Sequence, residues 1–180
     1  MKPLEILPQF FDVLVKQSAR FKVFYGGRSG AKSHNFARAI LHLMSLGRLR
    51  VNVGRQFYST IGDSNKTLFD DIIIEHELPF KSNQFIIANN LGSIISFSGL
   101  DRNIESTFKG KEKVDIFWIE EAQVLTQETI DTVIPTIIRN PGAEIWISMN
   151  VGAVTDPAYR EFIASQRPNS IGGWRTIESK

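Results

Sequence analysis

A chain of 180 residues without a cysteine can bury a sizeable core, but it excludes disulfides, zinc–thiolate centres and thiol catalysis. Its net charge of +2 provides no global field to attract nucleic acid, so any DNA contact must rest on local patches. No apolar run reaches the ~18 residues that a membrane span requires, and Met1-Lys2-Pro3 does not open a signal peptide. The expectation is a cytoplasmic protein with no membrane partner.

Residues 3–17 carry Ile6, Leu7, Phe10, Phe11, Val13, Leu14 and Val15, the pattern of a helix broken or restarted near Pro8. The aromatic and β-branched run at 21–25 reads as a strand that stops at Gly26-Gly27. From Ser33 a helical face follows through Phe36, Ala37, Ile40, Leu41 and Met44, closed by Gly47. Residues 49–53 read as a second strand and 63–78 as a helix capped by Asp63 or Ser64. A hairpin is expected from 84–87 and 93–97 around a turn at Asn89-Asn90. A polar loop over 101–113 leads into a buried-strand run at 114–119. Thr126 caps a helix through Ile138, with a kink expected at Pro135. A strand at 144–149, a short helix at 156–165 and a strand at 174–177 complete the chain. Strands alternating with helices predict an α/β fold whose mostly parallel central sheet is flanked by helices on both faces.

Gly26-Gly27-Arg28-Ser29-Gly30-Ala31-Lys32-Ser33 lies between a predicted strand and a predicted helix. It has the Walker A spacing G-x-x-x-x-G-K-[ST], with Ala31 in place of the second required glycine. Such a loop curls its backbone N–H groups onto phosphate oxygens, and the following helix adds the positive end of its dipole. Lys32 is expected to reach the β- and γ-phosphates and Ser33 to ligate Mg²⁺. A dinucleotide-binding turn would instead require G-x-G-x-x-G. The methyl group of Ala31 is tolerable at negative φ and costly at positive φ.

The strand pattern at 114–119 ends in Glu120-Glu121. In a parallel sheet, ligands gather beyond the carboxyl ends of the strands. Glu120 is therefore the expected Mg²⁺ ligand, direct or through water, and Glu121 the group that polarises the attacking water. Beside a phosphate loop this reading displaces that of a solvated acidic strand end. Asp115, near the strand start, is structural. Arg28 is either a finger acting in cis on the γ-phosphate or a solvent-facing loop residue. Asn150, after Ser148-Met149, either senses the γ-phosphate and positions water or forms a turn. Arg55 faces the nucleotide or packs on the sheet. Arg102, Lys109, Lys111 and Lys113 form a basic loop that is either solvated or turned towards DNA or a neighbouring subunit. His34, His42 and His76 show no metal-ligand spacing, and Phe117, Trp118 and Trp146 read as core.

Taken together, these segments resemble the ATPase domain of the large terminase subunit of tailed phages and prophages. The resemblance rests on the loop at 26–33, the stretch from Val53 through Arg55 to Asp63-Ser64, Phe117-Trp118-Ile119-Glu120-Glu121-Ala122, and Ile145-Trp146-Ile147-Ser148-Met149-Asn150. It implies a P-loop NTPase fold of the ASCE type, in which a catalytic glutamate is added to the P-loop sheet. It implies ATP and Mg²⁺ as cofactors, with Lys32, Arg28 and Glu121 catalytic, Gly26 to Ser33 and Asn150 on the nucleotide, and Ser33 and Glu120 on the metal. It further implies translocation of double-stranded DNA into a procapsid in the host cytoplasm, with the small terminase subunit, the portal and a ring of like subunits as partners. Family members continue into a nuclease domain. The expectation here is a single ATPase domain over 1–180, monomeric in isolation. The rivals are a helicase-like remodelling ATPase and a nucleotide-binding interaction module without significant turnover.

Overall fold

The computed structural model describes residues 2–28, 31–57, 65–101 and 114–165, together with the strand at 174–179. Eight strands among them form one sheet: β1 (Phe21–Gly26), β2 (Arg50–Arg55), β3 (Phe80–Ser82), β4 (Ile86–Asn89), β5 (Ile94–Gly99), β6 (Ile116–Glu120), β7 (Glu144–Asn150) and β8 (Trp174–Ser179). Their order is β3-β4-β5-β2-β6-β7-β1-β8. From β5 to β8 every neighbouring pair is parallel. The expected hairpin is present as the antiparallel β4–β5 pair, and β3, which the sequence pattern did not reveal, adds antiparallel to it.

The helices are α1 (Pro8–Leu14), α2 (Lys32–Leu46), α3 (Thr67–Glu75) and α4 (Gln127–Ile138), followed by a short α5 (Pro157–Tyr159) that widens into a π-helical turn at Arg160–Ala164. Pro8 stands at the start of α1, where its missing N–H costs nothing. Thr126 caps α4 by accepting the Thr129 N–H at 3.1 Å, and α4 runs on past Pro135. Asp63 and Ser64, expected to cap the helix before β3, lie outside the described residues.

Strand alternation sorts the core into two layers. Phe24, Val51, Val53, Trp118 and Trp146 face α1, α2 and α3. Phe21, Val23, Phe117, Ile119, Ile145, Ile147 and Met149 face α4 and α5. Both tryptophans are fully buried and satisfy their indole N–H groups, Trp118 on Ser148 Oγ and Trp146 on Glu144 Oε2. No described helix is long and apolar enough to cross a membrane.

Two features of this sheet position the site. β7 lies between β1 and β6, so its C-terminal end falls between the turn that follows β1 and the acidic pair. Alternation also places Arg55, Glu120 and Ser148 on the face of Val53, Trp118 and Trp146, towards the start of α2.

Candidate active site

β1 ends at Gly26, whose φ of 154° lies in a region open to glycine. After the loop, Ala31 stands at φ 49° and ψ 21°, directly before α2. The alanine therefore occupies a left-handed position that glycine would fill without strain. It is held there by Asn35, whose backbone N–H and side-chain amide both donate to the Ala31 carbonyl, at 3.1 and 2.8 Å. Ser29 and Gly30 lie outside the described residues.

Lys32 is only 7% exposed, and its Nζ donates to the carbonyls of Gly27 at 2.6 Å and Gly26 at 3.3 Å. Burial pushes the ammonium below the usual lysine range. The cation is thus held at the mouth of the loop by carbonyl dipoles, and among the described residues no carboxylate pairs with it. One residue on, the Ser33 hydroxyl donates to Glu120 Oε1 at 2.7 Å. This contact joins the first turn of α2 to the end of β6 across 87 residues of chain.

Glu120 is 5% exposed. Its Oε2 lies 2.7 Å from Arg55 Nε, as an ion pair without hydrogen-bond alignment. Burial pushes the Glu120 carboxyl above the ordinary carboxylate range. The Arg55 guanidinium and the Ser33 hydrogen bond pull it back, the Glu121 charge adds to the rise, and Asn65 opposes it. The strand ends here because Glu121 takes φ 53° and ψ 44°, an uncommon conformation for a residue with a Cβ. The turn separates two carboxylates that share adjacent positions. Glu120 stays buried against Ser33, while the Glu121 side chain is 46% exposed and reaches Arg55 Nη2 at 2.5 Å. Arg55 therefore does more than pack on the sheet; it bridges both acids.

A 3₁₀ turn at Ala122–Val124 then runs beside β7, and Gln123 Oε1 accepts the Asn150 N–H at 3.0 Å. Arg28, Lys32, Ser33, Glu120, Glu121, Gln123, Ser148, Met149 and Asn150 line one cleft of about 260 Å³. The structure thus brings together both acids, the lysine, the serine, Arg28 and Asn150. Arg28 is exposed at the rim, and the backbone of Asn150 pairs in register with Gly26. Gln123 and the bridging role of Arg55 escaped the sequence reading. The only local trace of Gln123 is its position two residues after Glu121.

Other candidates fall elsewhere. Asp115 precedes β6 and accepts the Arg50 N–H at 2.7 Å, a structural role. No cluster of three or more His, Asp or Glu suited to a metal occurs among the described residues. Arg102, Lys109, Lys111 and Lys113 lie outside the described residues.

The family model described as phage terminase large subunit matches residues 18–171. The chain belongs to the phage terminase large subunit family. It is 25% identical over 169 residues to the PBSX phage terminase large subunit of Bacillus subtilis, covering 91% of this chain and 38% of that one. Among solved structures, a large terminase from a thermophilic bacteriophage in complex with ADP superposes with a TM-score of 0.74 at 9% identity, covering 98% of this chain and 46% of that one. The N-terminal domain of the DNA packaging ATPase from bacteriophage phi29 matches with a TM-score of 0.63 at 15% identity, over 89% of this chain and 86% of that one. The chain therefore spans less than half the length of the PBSX and thermophilic-phage terminases, and it shares the P-loop NTPase fold of the two solved structures.

Proposed function

We propose that this terminase chain binds ATP with Mg²⁺ in the cleft at the sheet edge and hydrolyses it to drive double-stranded DNA into a procapsid. The observation that carries the chemistry is the 2.7 Å contact of Ser33 Oγ with Glu120 Oε1, made beside Lys32 and Glu121. A hydroxyl and a carboxylate side by side, next to a lysine held at a glycine-rich turn, fit a hard divalent ion that takes oxygen ligands and shares them with phosphates. Ser33 and Glu120 would hold Mg²⁺, which neutralises phosphate charge when bound.

The remaining roles belong to the chain itself. Backbone N–H groups from Gly27 to Ser33 bind phosphate oxygens, aided by the N-terminal dipole of α2. Lys32 can exchange the Gly26 and Gly27 carbonyls for β- and γ-phosphate oxygens, a stronger charge-assisted pairing. Glu121, half-exposed and oriented by Arg55, accepts a hydrogen bond from the attacking water and aligns it with the γ-phosphorus. Arg28 at the rim and Asn150 at the end of β7 supply donors to the terminal phosphate.

The packaging role rests on family membership, and the phi29 relative is itself named a DNA packaging ATPase. The small terminase subunit, the portal and a ring of like subunits are the partners such a motor requires. Turnover of ATP, measured with and without duplex DNA, tests the whole reading. Lys32→Ala should lose both binding and turnover. Glu121→Gln should bind ATP and fail to cleave it, and hydrolysis by that variant at the parent rate would remove Glu121 from its role.

A further inference from the structure

Two polar side chains of the cleft, Ser148 and Gln123, have no part in the roles above, and Ser148 is occupied by the Trp118 indole N–H. The β6–β7 ladder ends at the Glu120–Ser148 pair, because Glu121 turns the chain away. The Asn150 N–H two residues on has thereby lost its strand neighbour on that side. Gln123 replaces it: its Oε1 accepts that N–H at 3.0 Å, so a side chain completes what the strand leaves unpaired. Because the partner is a donor, the amide orientation is fixed, with oxygen on Asn150 and nitrogen on the opposite arm. Among the described residues Nε2 has no acceptor, although Gln123 lines the same cleft as Lys32, Glu121 and Asn150. A half-buried amide donor, neutral and pre-oriented, stands among groups that otherwise address phosphate and water.

We propose that Gln123 is a terminal-phosphate sensor: its Nε2 donates to an oxygen of the γ-phosphate while its Oε1 holds the end of β7. The proposal rests on the nucleotide reading of the cleft. It makes Gln123 the link between the presence of a triphosphate and the segment that follows β7. In that segment Asp156 receives the Ala153 N–H at 2.8 Å and precedes α5. A diphosphate leaves Nε2 without its acceptor, so Gln123 discriminates ATP from ADP without taking part in proton transfer.

Binding of ADP and of the slowly hydrolysed ATPγS, each with Mg²⁺, tests this on the intact chain by calorimetry. Gln123→Glu keeps an acceptor for the Asn150 N–H but replaces the donor with negative charge. Gln123→Met removes both. In the glutamate variant ATPγS affinity should fall about 10–100-fold, as expected for a lost hydrogen bond to a charged group, while ADP affinity stays within about twofold. The methionine variant should also lower the preference for ATPγS over ADP. A purely structural clamp predicts otherwise for the uncharged variant: Gln123→Met would weaken both nucleotides equally, whereas the charge in Gln123→Glu repels a triphosphate under either account. An unchanged ATPγS-to-ADP ratio in Gln123→Met overturns the proposal, and if that variant does not fold, an unchanged ratio in Gln123→Glu overturns it. Failure of the unsubstituted chain to bind either nucleotide would refute the nucleotide reading itself, and this proposal with it.

Discussion

Replacing Ala31 with glycine should stabilise the protein. Ala31 has φ 49° and ψ 21°, and the left-handed region costs an L-residue roughly 1–2 kcal/mol through crowding of Cβ against the backbone. Its side chain is exposed, so removing the methyl forfeits no packing and the backbone strain is the whole gain. Against this, glycine widens the unfolded ensemble by about 0.4–1 kcal/mol. The difference is a net stabilisation of about 0.5–1 kcal/mol, equivalent to roughly 1–4 °C in Tm for a chain of this size. Urea denaturation reads it directly, as a raised midpoint with an unchanged m-value. Ala31→Val should move the other way, because a β-branched residue at positive φ is a severe outlier. A glycine variant no more stable than the parent would refute the reasoning and place Ala31 at negative φ.

Two further substitutions test the charges built into the fold. Arg55→Met leaves Glu120 buried beside a second carboxylate, which should cost about 3 kcal/mol at pH 8. Its folded-state carboxyl would rise still further above the unfolded value, so the loss should shrink as pH falls and Glu120 protonates; equal losses at pH 5 and pH 8 would contradict the bridge. At the other end of the sheet, Lys22 is 1% exposed and lies 2.6 Å from Glu144. It also donates to the Leu14 carbonyl at 3.0 Å and sits over the Trp146 ring. Burial still pushes its ammonium below the usual lysine range, against the pull of Glu144. The unfolded chain then binds more protons in that window, so stability should rise with pH between the lowered and the ordinary lysine values. Lys22→Met should abolish that rise and cost about 1–3 kcal/mol at pH 7; unfolding free energies from pH 7 to 10 in which parent and variant run parallel would refute this.

The element order apart from β3, the mostly parallel sheet and the glycine-rich turn between β1 and α2 were legible from the chain alone. They depend on short-range signals: alternation in 21–25 and 114–119, helical spacing from Phe36 to Met44, and glycines set between them. The same signals put Lys32, Ser33, Glu120 and Glu121 at one sheet edge, because parallel strands deliver their carboxyl ends to the same side. Where Arg55 and Gln123 bind could not be read this way. Arg55 finds its carboxylates, and Gln123 its N–H, only once β2, β6 and β7 lie side by side, across 65 and 27 residues of chain respectively. Local pattern records what a residue does to its own backbone, whereas these contacts are set by strand order, which a single sequence does not spell out. Ala31 shows the same division. Its place in the motif was plain, but whether its methyl costs anything depended on φ, which the structure supplies: Asn35 holds the Ala31 carbonyl while its own Oδ1 accepts the Leu7 N–H from 28 residues away.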